Sequence, residues 1–403
     1  MRKTGVIYIL LCASLLIDTF NGYAIREHAI SLSPLYKASI LAACLLHIRH
    51  PLHFAAISGA FAIFLFVHGL SGSLQDLSKT LDWMFKFLYI YVLFLFMKSD
   101  TRIGRLDRIY WVFSSAFVII SLNMLLGHFG FGYPQYTMEG EPIGTRGFFY
   151  AGNEISAALV CSAGALMASA SVHGTTTRYV LLSVAAIVVA SLTTMKTSIL
   201  ALCLLFVLFP LLNPNARPAL HTISTKKSIV LGSAPIILGI SVYLVFMDSD
   251  MLARLSYFYD RNGLVSLIFS QRNVWAQDAL RIHSDYGFAE LLFGDGLNWV
   301  TLMPHGGVVE IDPVDVLMTY GFIGLILVYS LFVFALARST FFHRHRLSTH
   351  YSALILLLIM ISSTAGHVVF SGIAGHLVAA VLALSAYRPA HTVTANSIPH
   401  SHA

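Results

Sequence analysis

The chain has 403 residues, of which 57% are hydrophobic and only 11% charged, with a formal net charge of +6. Apolar runs of membrane-spanning length recur from end to end, which excludes an ordinary soluble or disordered protein and points to one polytopic bundle. The positive balance follows the predicted topology, so it does not argue for nucleic-acid binding.

The expected fold class is all-α, a polytopic membrane bundle of about twelve transmembrane helices. Apolar runs place the spans near 5–24, 36–49, 53–70, 81–97, 109–130, 153–172, 178–194, 197–213, 228–247, 316–338, 351–369 and 371–387. Several are shorter than the roughly 20 residues that cross about 30 Å of hydrocarbon. Gly22 and Ala24 resemble a signal-peptide cleavage site, but a retained first helix gives the even count that the charges support. With Arg2 and Lys3 inside, alternate connections carry Arg49, Lys98 to Arg108, Arg178, Arg217 to Lys227, Arg338 to Arg346, and Arg388. That side holds 15 of the 25 basic residues against only Asp100 and Asp107 of the 19 acids, so both termini are predicted cytoplasmic. The organisation is then a single transmembrane domain over 1–387, with one large outward loop at 248–315, followed by a disordered cytoplasmic tail at 388–403.

Cys12, Cys44, Cys161 and Cys203 fall inside apolar segments, where cysteine packs as a small hydrophobe. Most histidines lie at cytoplasmic connections or in the tail without partners at ligand spacing, so a metal site is not expected there.

Charge and specific shape coincide at three outer places. GTRGFFYAGNEISA, 144–157, puts Asn153 at an N-cap and Glu154 in the first turn of the sixth span, whose positive end could hold an anion. Arg146 lies close enough to reach that end, or it pairs with Glu139 or Glu141. In the turn TTMKT, Lys196 is a cation between two apolar spans, close to a ligand or snorkelling to headgroups. The loop 248–315 is the third place. There SQRNVWAQDALRI, 270–282, spaces Val274, Trp275 and Leu280 for a short amphipathic helix on the membrane surface, with Arg272 at its start. A guanidinium fork suits a diphosphate, whereas Asp278 or Glu290 could pair with it instead. In PHGGVVEIDPVD, 304–315, Asp312 before Pro313 reads as an N-cap and Asp315 completes something like a capping box, a structural account that competes with a catalytic one. His305, on a glycine-rich stretch beside carboxylates, is a candidate general base or an ordinary exposed histidine.

The order of GFFYAGNE (147–154), MKT (195–197), Arg272 with Trp275, and an acidic segment before YGFIG (320–324) resembles the bacterial O-antigen polymerase and O-antigen ligase superfamily. The resemblance spans most of the chain through short, degenerate motifs. It implies a GT-C-like fold in the bacterial inner membrane and a site facing the periplasm. The implied activity is transfer of a saccharide from undecaprenyl diphosphate without cofactor, metal or nucleotide sugar. Partners would be the lipid-linked donor and acceptor, the bilayer and a chain-length regulator protein. The diphosphate contacts would fall on Arg146 and Arg272, with Lys196 close by. The ligase branch carries His-Asn at the head of the tenth span, whereas this chain has HGGVVEIDPVD. That departure favours the polymerase branch and moves the base from His305 toward Glu310 or Asp312. A polysaccharide transporter or flippase is the competing non-enzymatic reading, and it would hold its ionisable groups at mid-membrane.

Overall fold

The computed structural model describes residues 3–48, 51–70, 77–100, 104–138, 141–212, 269–342 and 347–386, with isolated positions Gly232, Gly239, Tyr259, Gly263 and Val265. The expected span at 228–247, Arg254, Arg261, Glu139 and the tail at 388–403 lie outside the continuous described segments.

The protein is mostly helical. In chain order the first eight helices are α1 (Lys3–His28), α2 (Ser33–Leu45), α3 (Pro51–Leu70), α4 (Leu77–Ser99), α5 (Arg105–His128), α6 (Gly152–His173), α7 (Thr176–Leu192) and α8 (Lys196–Leu211). Three short helices follow, α9 (Arg272–Ser284), α10 (Phe288–Phe293) and α11 (Trp299–Leu302). The last three are α12 (Asp312–Ala337), α13 (Ser348–Thr364) and α14 (Gly375–Ser385). Eleven of the twelve expected spans therefore coincide with helices. Six of these, α1, α3, α4, α5, α6 and α12, are long and apolar enough to cross a membrane. Large apolar side chains face outward on them, including Phe20, Phe66, Trp111 and Ile326. A membrane-embedded protein accounts for that exposure, because lipid solvates it where water would not.

Strands β1 (Tyr133–Met138) and β2 (Glu141–Gly147) form an antiparallel hairpin, the one described sheet in an otherwise helical fold. Alternation within YPQYTM and EPIGTRG is too short to stand out beside the glycines and prolines of the same stretch. The hairpin sits over the end of α5.

Helix α6 is central. Its run of Ala, Ser and Gly lets α5, α7, α8, α13 and α14 pack closely around it. Helix α14 is buried along its whole length and lies against α4 and α6. Between α13 and α14 the chain is non-helical from Ala365 to Ala374, and Val368, Val369, Phe370 and Ile373 are buried there. Irregular backbone inside a membrane protein must find partners within the protein. This loop finds two carboxylates, one from α12 and one from α6.

The chain from α9 to the start of α12 has its own apolar cluster of Ala279, Trp299, Met303, Val309, Ile311 and Met318, with Trp275, Ala276 and Ile282 packed against it. The expected membrane-surface helix is α9, but its apolar face is Trp275, Ala276, Ala279 and Ile282, and it is turned toward this cluster. Leu280 is exposed instead. Helix α12 is interrupted at Gly321, with φ 63° and ψ −168°, a conformation essentially restricted to glycine. The carbonyls of Met318 and Thr319 accept the N–H groups of Asp295 (3.0 Å) and Gly296 (3.2 Å). Gly294 and Gly321 permit that backbone-to-backbone contact, because a Cβ at either would strike the opposing chain.

Candidate active site

Four helices begin around one spot: α6, α8, α9 and α12. Unpaired N–H groups and helix dipoles make such ends favourable to anions. At this spot Arg272 donates from Nε to Glu310 Oε2 at 3.1 Å, and its Nη2 contacts the same oxygen. The other oxygen, Oε1, lies 3.7 Å from His367 Nε2. On its remaining side His367 Nε2 meets Asn153 Nδ2 at 3.4 Å. One ring nitrogen cannot donate to Glu310 and accept from Asn153 at once, so its protonation decides which neighbour it serves.

The backbone at the site is constrained in an unusual way. Among the described residues six non-glycine positions have positive φ, and five of them are here: Thr194 (54°), Ser270 (52°), Gln271 (69°), Glu310 (61°) and His367 (60°). Left-handed backbone is disfavoured for side chains with a Cβ and persists where surrounding structure enforces it, often at functional positions. Glu310 and His367 are forced together because Gly366 leaves no room between its Cα and the Glu310 carbonyl, where a Cβ would sit 2.5 Å from that oxygen.

The electrostatics follow from the contacts. Burial alone would raise the Glu310 carboxyl, but the hydrogen bond and charge of His367, together with Arg272, override it and hold the group at about 2. For His367 burial disfavours the charged ring, yet the carboxylates of Glu310, Asp312 and Glu154 raise it above its ordinary 6.5.

Arg146 lies on β2. Its Nη1 donates to the Tyr150 carbonyl at 2.9 Å, while its buried Nε has no partner among the described residues. Lys196 opens α8 and donates to Ser270 Oγ at 3.2 Å, two residues before Arg272. Gly144 of β2 packs on Thr194, which ties the hairpin bearing Arg146 to the turn bearing Lys196. Lys196 is thereby linked to Arg272 through Ser270, whereas Arg146 shares with Lys196 only the packing of its hairpin on the Thr193 and Thr194 turn. Arg272 pairs with Glu310 rather than Asp278 or Glu290; Asp278 faces Arg281 instead, at 3.5 Å.

Three sequence assignments change. Asp312 is not an N-cap: Ile311 occupies that position and no side chain caps the helix. Its carboxylate instead accepts from the N–H groups of His367, Val368 and Val369 and from Ser362 Oγ, at 2.8 to 3.1 Å. Those four donors fix the loop that carries His367, so Asp312 is a buried staple and not a free base. Asp315 does not complete a capping box; it accepts from Val309 N at 2.9 Å and so anchors the segment before α12. Asn153 is also not a cap, since α6 begins at Gly152 after Ala151, and its amide turns to His367. Glu154 lies in the first turn as expected, but it accepts from Ser371 Oγ (2.8 Å) and Ile373 N (2.7 Å), holding the far end of the same loop.

His305 is exposed, stacks on Trp275 at 4.3 Å between ring centroids, and meets the Val308 carbonyl at 3.2 Å. The imidazole beside the carboxylates is His367. Sequence reading missed it because 351–369 passes for a continuous span. The signal was Gly366 and Gly372 flanking a histidine within that apolar stretch.

The chain matches no protein-family model, and no curated protein and no solved structure is significantly similar to it.

Proposed function

We propose that this protein is a membrane glycosyltransferase that polymerises undecaprenyl-diphosphate-linked oligosaccharide repeat units on the periplasmic side of a bacterial inner membrane. The observation that carries the reading is the Arg272, Glu310 and His367 cluster, in which a guanidinium stands beside a carboxylate and an imidazole where several helices begin. The donor's diphosphate would take Arg272, with Arg146 and Lys196 close by, in a field already favourable to anions. As the anomeric C–O bond breaks, negative charge grows on the diphosphate, and positioned cations lower that barrier.

The acceptor sugar hydroxyl supplies the new bond. Its oxygen attacks the anomeric carbon, its proton passes to the Glu310 and His367 pair, and undecaprenyl diphosphate leaves. In the resting pair Glu310 is a weak base, because Arg272 and His367 both stabilise its charge. A diphosphate competing for Arg272 removes one of those cations and raises the basicity of Glu310. Donor arrival thereby prepares the group that accepts the proton.

A second reading, a ligase moving finished glycan to lipid A core, is favoured by one observation: an imidazole does occupy the site, supplied by His367. The lipopolysaccharide of a deletion strain separates the two. Loss of a polymerase leaves cores capped by single repeat units, and loss of a ligase leaves polymer on the carrier. An unchanged ladder with unchanged carrier-bound glycan would remove both readings.

A further inference from the structure

Beside the Arg272 cluster, across the first turn of α6, lies a cavity of about 250 Å³ between α1, α2, α4, α6 and the loop preceding α14. Asp18, Lys37, Asp82, Lys86 and Glu154 are among the residues that line it. Lys37 donates to Asp18 Oδ1 at 2.6 Å, and Ser33 Oγ donates to the same oxygen. The second oxygen, Oδ2, is buried and has no partner among the described residues, although Asp18 itself is only 4% exposed. A buried carboxylate oxygen without a donor is costly, so a ligand that brings one is favoured.

The chemistry of that ligand can be narrowed. Three carboxylates face two ammonium groups, so a diphosphate or other anion meets net repulsion here. A bare ion would be lost in the space, since a single water needs only about 10–15 Å³ of such volume. A neutral, hydroxyl-rich ring supplies donors to Asp18 and acceptors to the lysines, and it fits the volume. We infer that this cavity binds the sugar of the acceptor, an inference that rests on the proposed transferase reading. Its position fits the role: Glu154 in the cavity wall follows Asn153, which contacts His367, and Ser371 and His367 belong to one loop. The first turn of α6 and the loop at 365–374 thus join the cavity wall to the Glu310 and His367 pair.

Gly372 provides a steric test that leaves every ionisable side chain of the cavity in the sequence. A Cβ there would lie 3.5 Å from Glu154 Oε2 and 3.7 Å from Lys37 Nζ, ordinary contacts, so a side chain grows into the cavity. The experiment uses the full chain in lipid nanodiscs with a reporter cysteine at the exposed cavity residue Ser31 (Ser31→Cys), or at Ser270 beside Arg272 (Ser270→Cys). A membrane-impermeant thiol reagent reads accessibility. The probes are the lipid-free repeat-unit oligosaccharide released from the host's own glycan, and inorganic pyrophosphate. Oligosaccharide at twice its dissociation constant is expected to slow Ser31→Cys modification about threefold, and Gly372→Leu is expected to abolish that protection. Pyrophosphate is expected to protect Ser270→Cys in both backgrounds. Failure of the oligosaccharide to protect Ser31→Cys while pyrophosphate protects Ser270→Cys overturns the cavity assignment alone, as does protection that survives Gly372→Leu. Protection by the oligosaccharide without protection by pyrophosphate leaves the cavity standing and removes the donor-site reading; no protection by either removes both.

Discussion

Arg272 and Glu310 are 38 residues apart in sequence, and their side chains meet at 3.1 Å through Nε and Oε2, on backbones that both depart from ordinary geometry nearby. The guanidinium opens α9 and the carboxylate stands two residues before the start of α12. The small cluster of Trp299, Val309 and Met318 holds the two elements in register.

If Arg272 stabilises the departing diphosphate, Arg272→Ala should lower elongation by about 100-fold or more, the loss typical of removing one preorganised charge-stabilising donor. Arg272→Lys should recover only part of it, because an ammonium lacks the planar fork. Turnover of purified protein in nanodiscs, with membrane insertion checked in parallel, measures both.

Asp312 and Glu310 should separate stability from chemistry. Asp312→Ala leaves the N–H groups of His367, Val368 and Val369 and the Ser362 hydroxyl without their acceptor, at a cost of about 3 kcal/mol, and should lower the unfolding temperature. Glu310→Gln should lower that temperature by less than Asp312→Ala, because the amide oxygen still accepts from Arg272 while its charge pairing is lost, and should lower turnover. Thermal unfolding and turnover on the same preparations give the comparison, and equal stability losses in the two variants would count against the assignment.

The pair of Glu310 and His367 predicts a signed pH dependence. The Glu310 pKa is depressed from its ordinary 4.5, so its contribution is present above that value and is lost only as pH falls toward about 2. The His367 pKa is raised, so its contribution is complete below 6.5 and fades as pH rises through the folded value above it. Stability should therefore decline on the alkaline side of neutrality in wild type, and the decline should disappear in His367→Asn. Unfolding midpoints between neutral and alkaline pH read the difference.

Much of the scaffold was legible in the chain. Hydrophobic runs located eleven helices, and the scarcity of charge singled out Arg146, Lys196 and Arg272. What stayed hidden depended on contacts between distant segments. Asp312 before Pro313 carries every local sign of a cap, and only the backbone of the loop at 367–369 shows where its carboxylate goes. His367 lies in a stretch whose composition matches a span, so a non-helical loop of buried apolar residues is invisible to hydropathy. Trp275 and Leu280 share a helical pattern that periodicity alone cannot aim at protein or at lipid.

His305 should matter little. His305→Ala removes one ring stacked on Trp275, worth about 0.5–1.5 kcal/mol, and elongation should stay within about twofold of wild type. A turnover loss as large as that of Glu310→Gln would return the base to His305.

The most direct measurement is reconstitution of the purified chain with lipid-linked single repeat units as both donor and acceptor. Wild type should form lipid-linked oligomers and release one undecaprenyl diphosphate per linkage, and Arg272→Ala should form none while remaining folded in the bilayer. Absence of oligomers from the wild-type protein, or wild-type chain lengths from Arg272→Ala, would contradict the account.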